Sequence, residues 1–244
     1  MSKRSGSGFA FGSTKKSKIS DKKYKKNKEE NEDDEDNSEE NPFSFPNLFG
    51  KEESPIYLDQ NHLFYRTEIS EESVDQVKKL MRQYYTKIIK LQANRLFMNV
   101  SPKPLFLHIY SPGGDVYAGL SLHDFIIQFS KTIPVHTVVE GVAASAATMI
   151  SVAGSKRYIS PTSYMLIHQL STFVGGNFEQ IKDEFDNCNK LMDRIKSIYV
   201  QYTSIPKKQL TDILKHDLIF DANECKKYGL VDEIKLVDVF NDSE

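Results

Sequence analysis

Alternation of two patterns constrains this chain more than any other feature. The short apolar runs Leu105–Tyr110, Val135–Val139 and Tyr164–Ile167 are separated by stretches whose apolar residues recur at helical spacing. Strands that alternate with helices pack as an α/β domain. Ser70 is placed to cap a helix carrying Val74, Val77, Met81, Tyr84, Tyr85, Ile88 and Leu91. The first run stops at Ser111-Pro112-Gly113-Gly114, and Asp115 or a neighbour opens a helix to about Phe129. The second run is expected to break at Gly141. Residues 145–153 read as a small-residue helix, and the third strand ends at His168.

A long helix is expected from about Asn177 to Tyr202. Phe178, Ile181, Phe185, Cys188, Met192, Ile195 and Tyr199 form one continuous stripe on it, of the kind that packs on a partner surface within the chain or between subunits. Cys188 is read there as core filler rather than as a reactive thiol. Ser204 and Pro206 are expected to start a further helix, and Asp221-Ala222-Asn223-Glu224 has capping-box spacing with Gly229 as its stop.

The charge balance of 32 basic against 34 acidic residues hides a segregation. Residues 3–28 hold ten Lys or Arg and a single acid, Asp21, whereas residues 29–40 hold nine acids and no base. Residues 1–42 contain only six hydrophobic residues, too few to offset the entropy of ordering. The expected organisation is a disordered charged extension and linker over 1–54, a globular domain over 55–238 and a tail over 239–244. The whole-chain charge predicts no attraction to nucleic acid or to an anionic membrane. No stretch approaches the ~18 apolar residues of a membrane span. Two cysteines, Cys188 and Cys225, make neither a disulfide scaffold nor a zinc site and point to a reducing compartment. The expected location is cytoplasmic, or an organelle if the Ser-rich, acid-free residues 1–20 act as a transit peptide.

Four features could carry chemistry, and each in isolation has an ordinary structural reading. Ser145, in Gly141-Val142-Ala143-Ala144-Ser145-Ala146-Ala147, sits where a strand turns into a helix. It is either a helix cap or a nucleophile whose small neighbours admit a substrate backbone, with first-turn N–H groups ready to stabilise an oxyanion. His168 follows a buried-looking strand and is either a satisfied structural histidine or a base. The other five histidines, at 62, 108, 123, 136 and 216, have no comparable setting, and His108 and His136 read as structural. Gly113-Gly114 is a tight turn or a place where backbone approaches a ligand. No Gly-x-x-x-x-Gly-Lys-Ser/Thr run occurs, so any dependence on ATP would rest on a partner. For an acid to orient the histidine, Asp183, Asp186, Asp193, Asp212, Asp217 and Asp221 are all downstream. Asp217 stands beside Leu218-Ile219-Phe220, where partial shielding from water is expected.

Assembled in order, these residues make the sequence resemble the Clp protease proteolytic subunit (ClpP) family of serine peptidases over about residues 103–234. The resemblance rests on Ser111-Pro112-Gly113-Gly114, then Gly141-x-Ala143-Ala144-Ser145, then Met165-x-Ile167-His168-Gln169, then Asp217 with Ala222-x-Glu224 and Tyr228-Gly229-Leu230-Val231-Asp232. It implies a crotonase-like fold of repeated strand–helix units with a protruding handle, formed by the helix from Asn177, the strand before it and Gly175-Gly176. It implies Ser145 as nucleophile, His168 as general base, Asp217 as its orienting acid, and the backbone N–H groups of Gly114 and Ala146 as oxyanion hole. It also implies no cofactor or metal in this chain, unfolded polypeptide substrates, self-association into stacked rings of seven, and an AAA+ unfoldase partner that uses ATP. The charged extension stands where the family keeps a pore loop. The region around 86–104 is expanded, Leu170 replaces a proline, and His216 and Leu218 flank Asp217 where the family carries charges. Two other readings are a non-catalytic ClpP-like structural or regulatory subunit and another crotonase-fold enzyme acting on acyl thioesters.

Overall fold

A computed structural model of the chain describes residues 54–94 and 102–239. The expected charged extension, the C-terminal tail and part of the expanded 86–104 region lie outside the described residues.

The described chain runs β1 (Ile56–Asp59), β2 (His62–Tyr65), α1 (Glu71–Asn94), β3 (Leu105–Ser111), α2 (Val116–Ser130), β4 (Val135–Ala144), α3 (Ala146–Val152), β5 (Lys156–Ile159), β6 (Tyr164–Leu166), α4 (Phe178–Tyr202), α5 (Lys207–Ile213), β7 (Ile219–Phe220), α6 (Ala222–Lys227) and β8 (Glu233–Ile234). This is the α/β class that the alternation predicts. Strands pair in the order β1-β2-β3-β4-β5-β8, and β6 joins β4 to β7. From β2 to β8 the main ladder is parallel; β1 is antiparallel to β2, and off the main ladder β7 is antiparallel to β6.

The period of two sorts side chains to opposite faces of this sheet. Leu63 and Tyr65 of β2, Leu105, Leu107 and Ile109 of β3, and Val135 and Val139 of β4 meet the helices in one large core. Val74, Val77 and Met81 of α1, Leu122 and Ile126 of α2, and Met149 and Ile150 of α3 fill it from the other side. Removing such side chains from water contributes roughly 1.5–3 kcal/mol each. The alternate residues Phe106, Val138 and Tyr158 form a second, smaller cluster with Val237. On that same face His108 is buried, with its ring nitrogens bonded to His62 at 2.9 Å and to Glu140 at 2.7 Å. Burial alone would raise the Glu140 carboxyl, but hydrogen bonds from His108 and Arg66 outweigh it and hold the group below its ordinary range. His136 packs edge-on against Phe106 and Tyr158. Both histidines are therefore structural, as their strand positions predict.

Several elements depart from expectation. Gly141 does not end the second strand; β4 continues to Ala144. With φ at +72°, Gly141 bends β4 between two neighbours. Residues up to Val139 pair with β5, and Val142–Ala144 pair with β6. A side chain at 141 would also strike the ring of Tyr110 at 2.8 Å. Ser204 is not the cap of α5; its backbone N–H donates to the Tyr228 carbonyl. Pro206 takes the N-cap position of α5 without a side-chain cap. The segment between Leu166 and α4 forms no strand and pairs with no strand of the sheet among the described residues.

The long helix matches its signals. Asn177 and Gln180 form a reciprocal capping box at its start. Its stripe, however, is divided. Ile195 and Tyr199 are buried in the core, whereas Phe178 and Phe185 are 76% and 66% exposed. Cys188 lies on the exposed half and is only partly covered, so it is not core filler; the fully buried cysteine is Cys225.

Candidate active site

The bend at Gly141 delivers the end of β4 to residue 145. Ser145 adopts φ +54° and ψ −125° at the head of α3, a conformation that L-residues seldom hold. Such strain persists only where the surroundings over-determine it. Here the Ser145 N–H donates to the Leu166 carbonyl at 2.8 Å, and its carbonyl accepts from the N–H and the hydroxyl of Thr148 at 3.0 and 2.6 Å. Ser145 holds the N-cap position of α3 as expected, but its side chain makes no capping bond.

The Gly113-Gly114 turn lies directly against this elbow. A Cβ on Gly113 would sit 2.7 Å from both the Ala144 carbonyl oxygen and the Ser145 Cβ. One on Gly114 would sit 2.2 Å from the Ile69 carbonyl oxygen. Both glycines hold positive φ, at +99° and +142°. The turn is pinned by Ile69, whose N–H donates to Gly113 and whose carbonyl accepts from Asp115 at 2.7 and 2.8 Å. The paired glycines are thus needed for close backbone approach and not merely for turning.

His168 follows β6, two residues after its last paired residue. The Gln169 N–H donates to the Leu214 carbonyl at 2.7 Å and anchors the histidine backbone to the end of α5. His168 Nδ1 lies 2.8 Å from an Asp217 carboxylate oxygen. A carboxylate only accepts, so Nδ1 carries the hydrogen, and in the neutral ring that leaves the lone pair on Nε2. Of the six aspartates considered, Asp217 is the one bonded to His168 among the described contacts. Asp221 caps α6. The expected shielding of Asp217 is absent, because its side chain is 77% exposed in the single chain. The reason is that neighbouring Leu218 and Ile219 are themselves exposed and cover nothing.

Ser145, His168, Gly114 and Ala146 line one cleft of about 160 Å³, with Val116, Met149, Leu170 and Tyr199 among its walls. Asp217 stands behind His168 rather than in the cleft. Motif reading missed Thr148 and Tyr199. Tyr199 is fully buried, and its hydroxyl lies 2.5 Å from the Thr148 hydroxyl. Burial raises that phenol to about 12, with the Thr148 contact opposing it, so it keeps its hydrogen at neutral pH.

The family profile described as Clp protease matches residues 58–237. An ATP-dependent Clp protease proteolytic subunit of Angiopteris evecta is 30% identical over 207 residues, 80% of this chain and 94% of that protein. One from Marchantia polymorpha is 36% identical over 138 residues, covering 55% of this chain and 66% of that protein. The subunit of Deinococcus radiodurans is 34% identical over 130 residues, 52% of this chain and 63% of that protein. This chain thus spans a little under two thirds of the Deinococcus protein it matches.

Proposed function

Since the chain belongs to the Clp protease family, we propose that it is the proteolytic subunit of an ATP-dependent Clp-type protease, a serine endopeptidase. The observation that carries this reading is the convergence on one cleft of a strained serine, a histidine aligned by an aspartate, and two backbone segments held open by glycine and alanine.

In the proposed reaction His168 Nε2 accepts the proton of the Ser145 hydroxyl as Oγ attacks the substrate carbonyl carbon. Asp217 holds the ring in the reactive tautomer and stabilises the imidazolium that forms. The tetrahedral oxyanion accepts hydrogen bonds from the N–H groups of Gly114 and Ala146, each such donor being worth about 3–4 kcal/mol of barrier. As the C–N bond breaks, His168 passes its proton to the leaving amine. Water then repeats the sequence on the acyl-serine, with His168 again as base, and releases the carboxylate product.

The substrates are unfolded polypeptides, delivered by an AAA+ unfoldase that hydrolyses ATP; this chain needs no cofactor of its own. Seven-membered rings stack in pairs, with the 55–238 domain as the building block and the cytoplasm as the setting. The exposed Phe178, Ile181 and Phe185 of α4 and the unpaired segment before it support self-association. So does the open carboxylate of Asp217, which a neighbouring subunit would screen from water.

The test is fluorophosphonate labelling of the purified, assembled protein, with Ser145→Ala as control. A covalent adduct on Ser145 is expected. Its absence from a stable oligomer would refute the peptidase reading and leave the non-catalytic subunit in its place.

A further inference from the structure

The peptide joining Ser145 to Ala146 is held from behind by a pair of hydroxyls that belong to neither residue. Thr148 Oγ1 lies 2.6 Å from the Ser145 carbonyl oxygen and 2.5 Å from the Tyr199 hydroxyl. A threonine hydroxyl has one hydrogen. The carbonyl can only accept, so Thr148 donates to it, and Tyr199 in turn donates to Thr148. The order of the relay is fixed: Tyr199 O–H to Thr148 O–H to Ser145 C=O. Both side chains are buried, and the two residues lie 51 positions apart, on α3 and α4.

The consequence follows from peptide geometry. The Ser145–Ala146 bond is trans. In a planar trans peptide the carbonyl and the following N–H point in opposite directions. Clamping the Ser145 carbonyl therefore aims the Ala146 N–H. The clamp is needed because Ser145 sits in a sparsely populated conformation, from which a peptide flip would relieve strain.

We propose that Thr148 and Tyr199 are positioning residues that hold the Ala146 N–H in oxyanion-binding orientation through the Ser145 carbonyl. This deepens, and rests on, the serine peptidase reading. Thr148 does not line the cleft and acts through the peptide; Tyr199, whose side chain also forms part of the cleft wall, acts on the peptide through Thr148. The buried phenol, reluctant to ionise, supplies a permanent donor to the relay.

The test uses the full chain in its assembled form and a fluorogenic peptide substrate. Thr148→Val removes the hydroxyl at nearly constant volume. It is expected to lower kcat about 10- to 100-fold, below the full loss of an oxyanion donor, with KM and the pH profile unchanged because His168 and Asp217 are untouched. Thr148→Ser restores the donor and should return kcat to within about threefold of wild type. Thr148→Val leaves the Tyr199 hydroxyl buried without its acceptor. The double variant Thr148→Val/Tyr199→Phe removes that cost and should recover thermal stability while keeping the low kcat. Crystal structures of wild type and double variant give a readout that needs no activity, and a rotated Ser145–Ala146 peptide is expected in the variant. An unmoved peptide, or a kcat within about twofold of wild type in both Val variants, overturns the proposal. A wild-type protein that fluorophosphonate does not label would instead defeat the peptidase reading, while the crystallographic comparison still decides the positioning role.

Discussion

Replacing Gly114 by alanine tests how the Gly-Gly turn is built. The added Cβ would lie 2.2 Å from the Ile69 carbonyl oxygen and 2.9 Å from both the Ile69 nitrogen and Glu68 Cγ. The nearest obstacle is backbone, which cannot rotate away as a side chain tip can. To reach ordinary contact the Ile69 backbone must retreat by about 1 Å. That movement stretches the two hydrogen bonds of Ile69 to Gly113 and Asp115, each worth about 1 kcal/mol. Alanine at φ +142° adds strain of about 1–3 kcal/mol. The expected loss is about 3–5 kcal/mol, a large share of the about 5–15 kcal/mol that holds a domain folded. Gly119→Ala is the control. Its Cβ would meet Ala146 Cβ at 3.1 Å within a helix at ordinary φ, and a change within about 1 kcal/mol is expected. The assay is urea unfolding followed by circular dichroism, at one protein concentration because assembly contributes to apparent stability. A Gly114→Ala loss below about 1 kcal/mol would refute the contact argument.

Two further predictions concern the ends of the fold. Burial would raise the Asp232 carboxyl, but the Arg157 guanidinium and N–H outweigh it and hold the group below its ordinary range. A depressed carboxylate contributes stability above its unfolded pKa and loses it as pH falls through the folded value. Asp232→Asn is therefore expected to cost about 1 kcal/mol at pH 7, discounted for its partial exposure, and progressively less as the pH falls below the ordinary carboxylate range; a pH-independent difference in unfolding free energy would sink this account. Phe185→Glu replaces an exposed ring that assembly would bury for about 1.5–3 kcal/mol with a charge. Light scattering should report a smaller particle, and an unchanged mass would remove α4 from the interface.

Much of this architecture can be read from the residues. The capping box at Asn177 and the spacing of its stripe locate α4, and Asp221 with Gly229 locates α6. The strands β1, β2, β5, β7 and β8 escape such reading for a physical reason. Each is two to four residues long, too short for a period to declare itself, and Lys156-Arg157 opens β5 with charge. Their pairing is a tertiary outcome. The candidate site is legible in composition and not in conformation. Small residues around Ser145 announce close approach, but nothing in them announces a positive φ. Asp217 is chosen through family resemblance, and the expected local shielding is not met within the single chain, where Leu218 and Ile219 are exposed and only Phe220 is buried. The Thr148–Tyr199 pair could not be found by motif, since Tyr199 reads as one more member of an apolar stripe.

The bend in β4 has a mechanical consequence. Gly141 acts as the fulcrum of a short arm whose tip is Ser145, four residues on and about 13 Å away at strand rise. A rotation of about 5° at the fulcrum swings the tip by about 1 Å, enough to spoil near-attack geometry. The arm is braced where the Gly141 N–H donates to Ser163 Oγ at 2.7 Å and where the Tyr110 ring closes over the glycine. The aim of the serine is therefore set by residues that do not line the cleft.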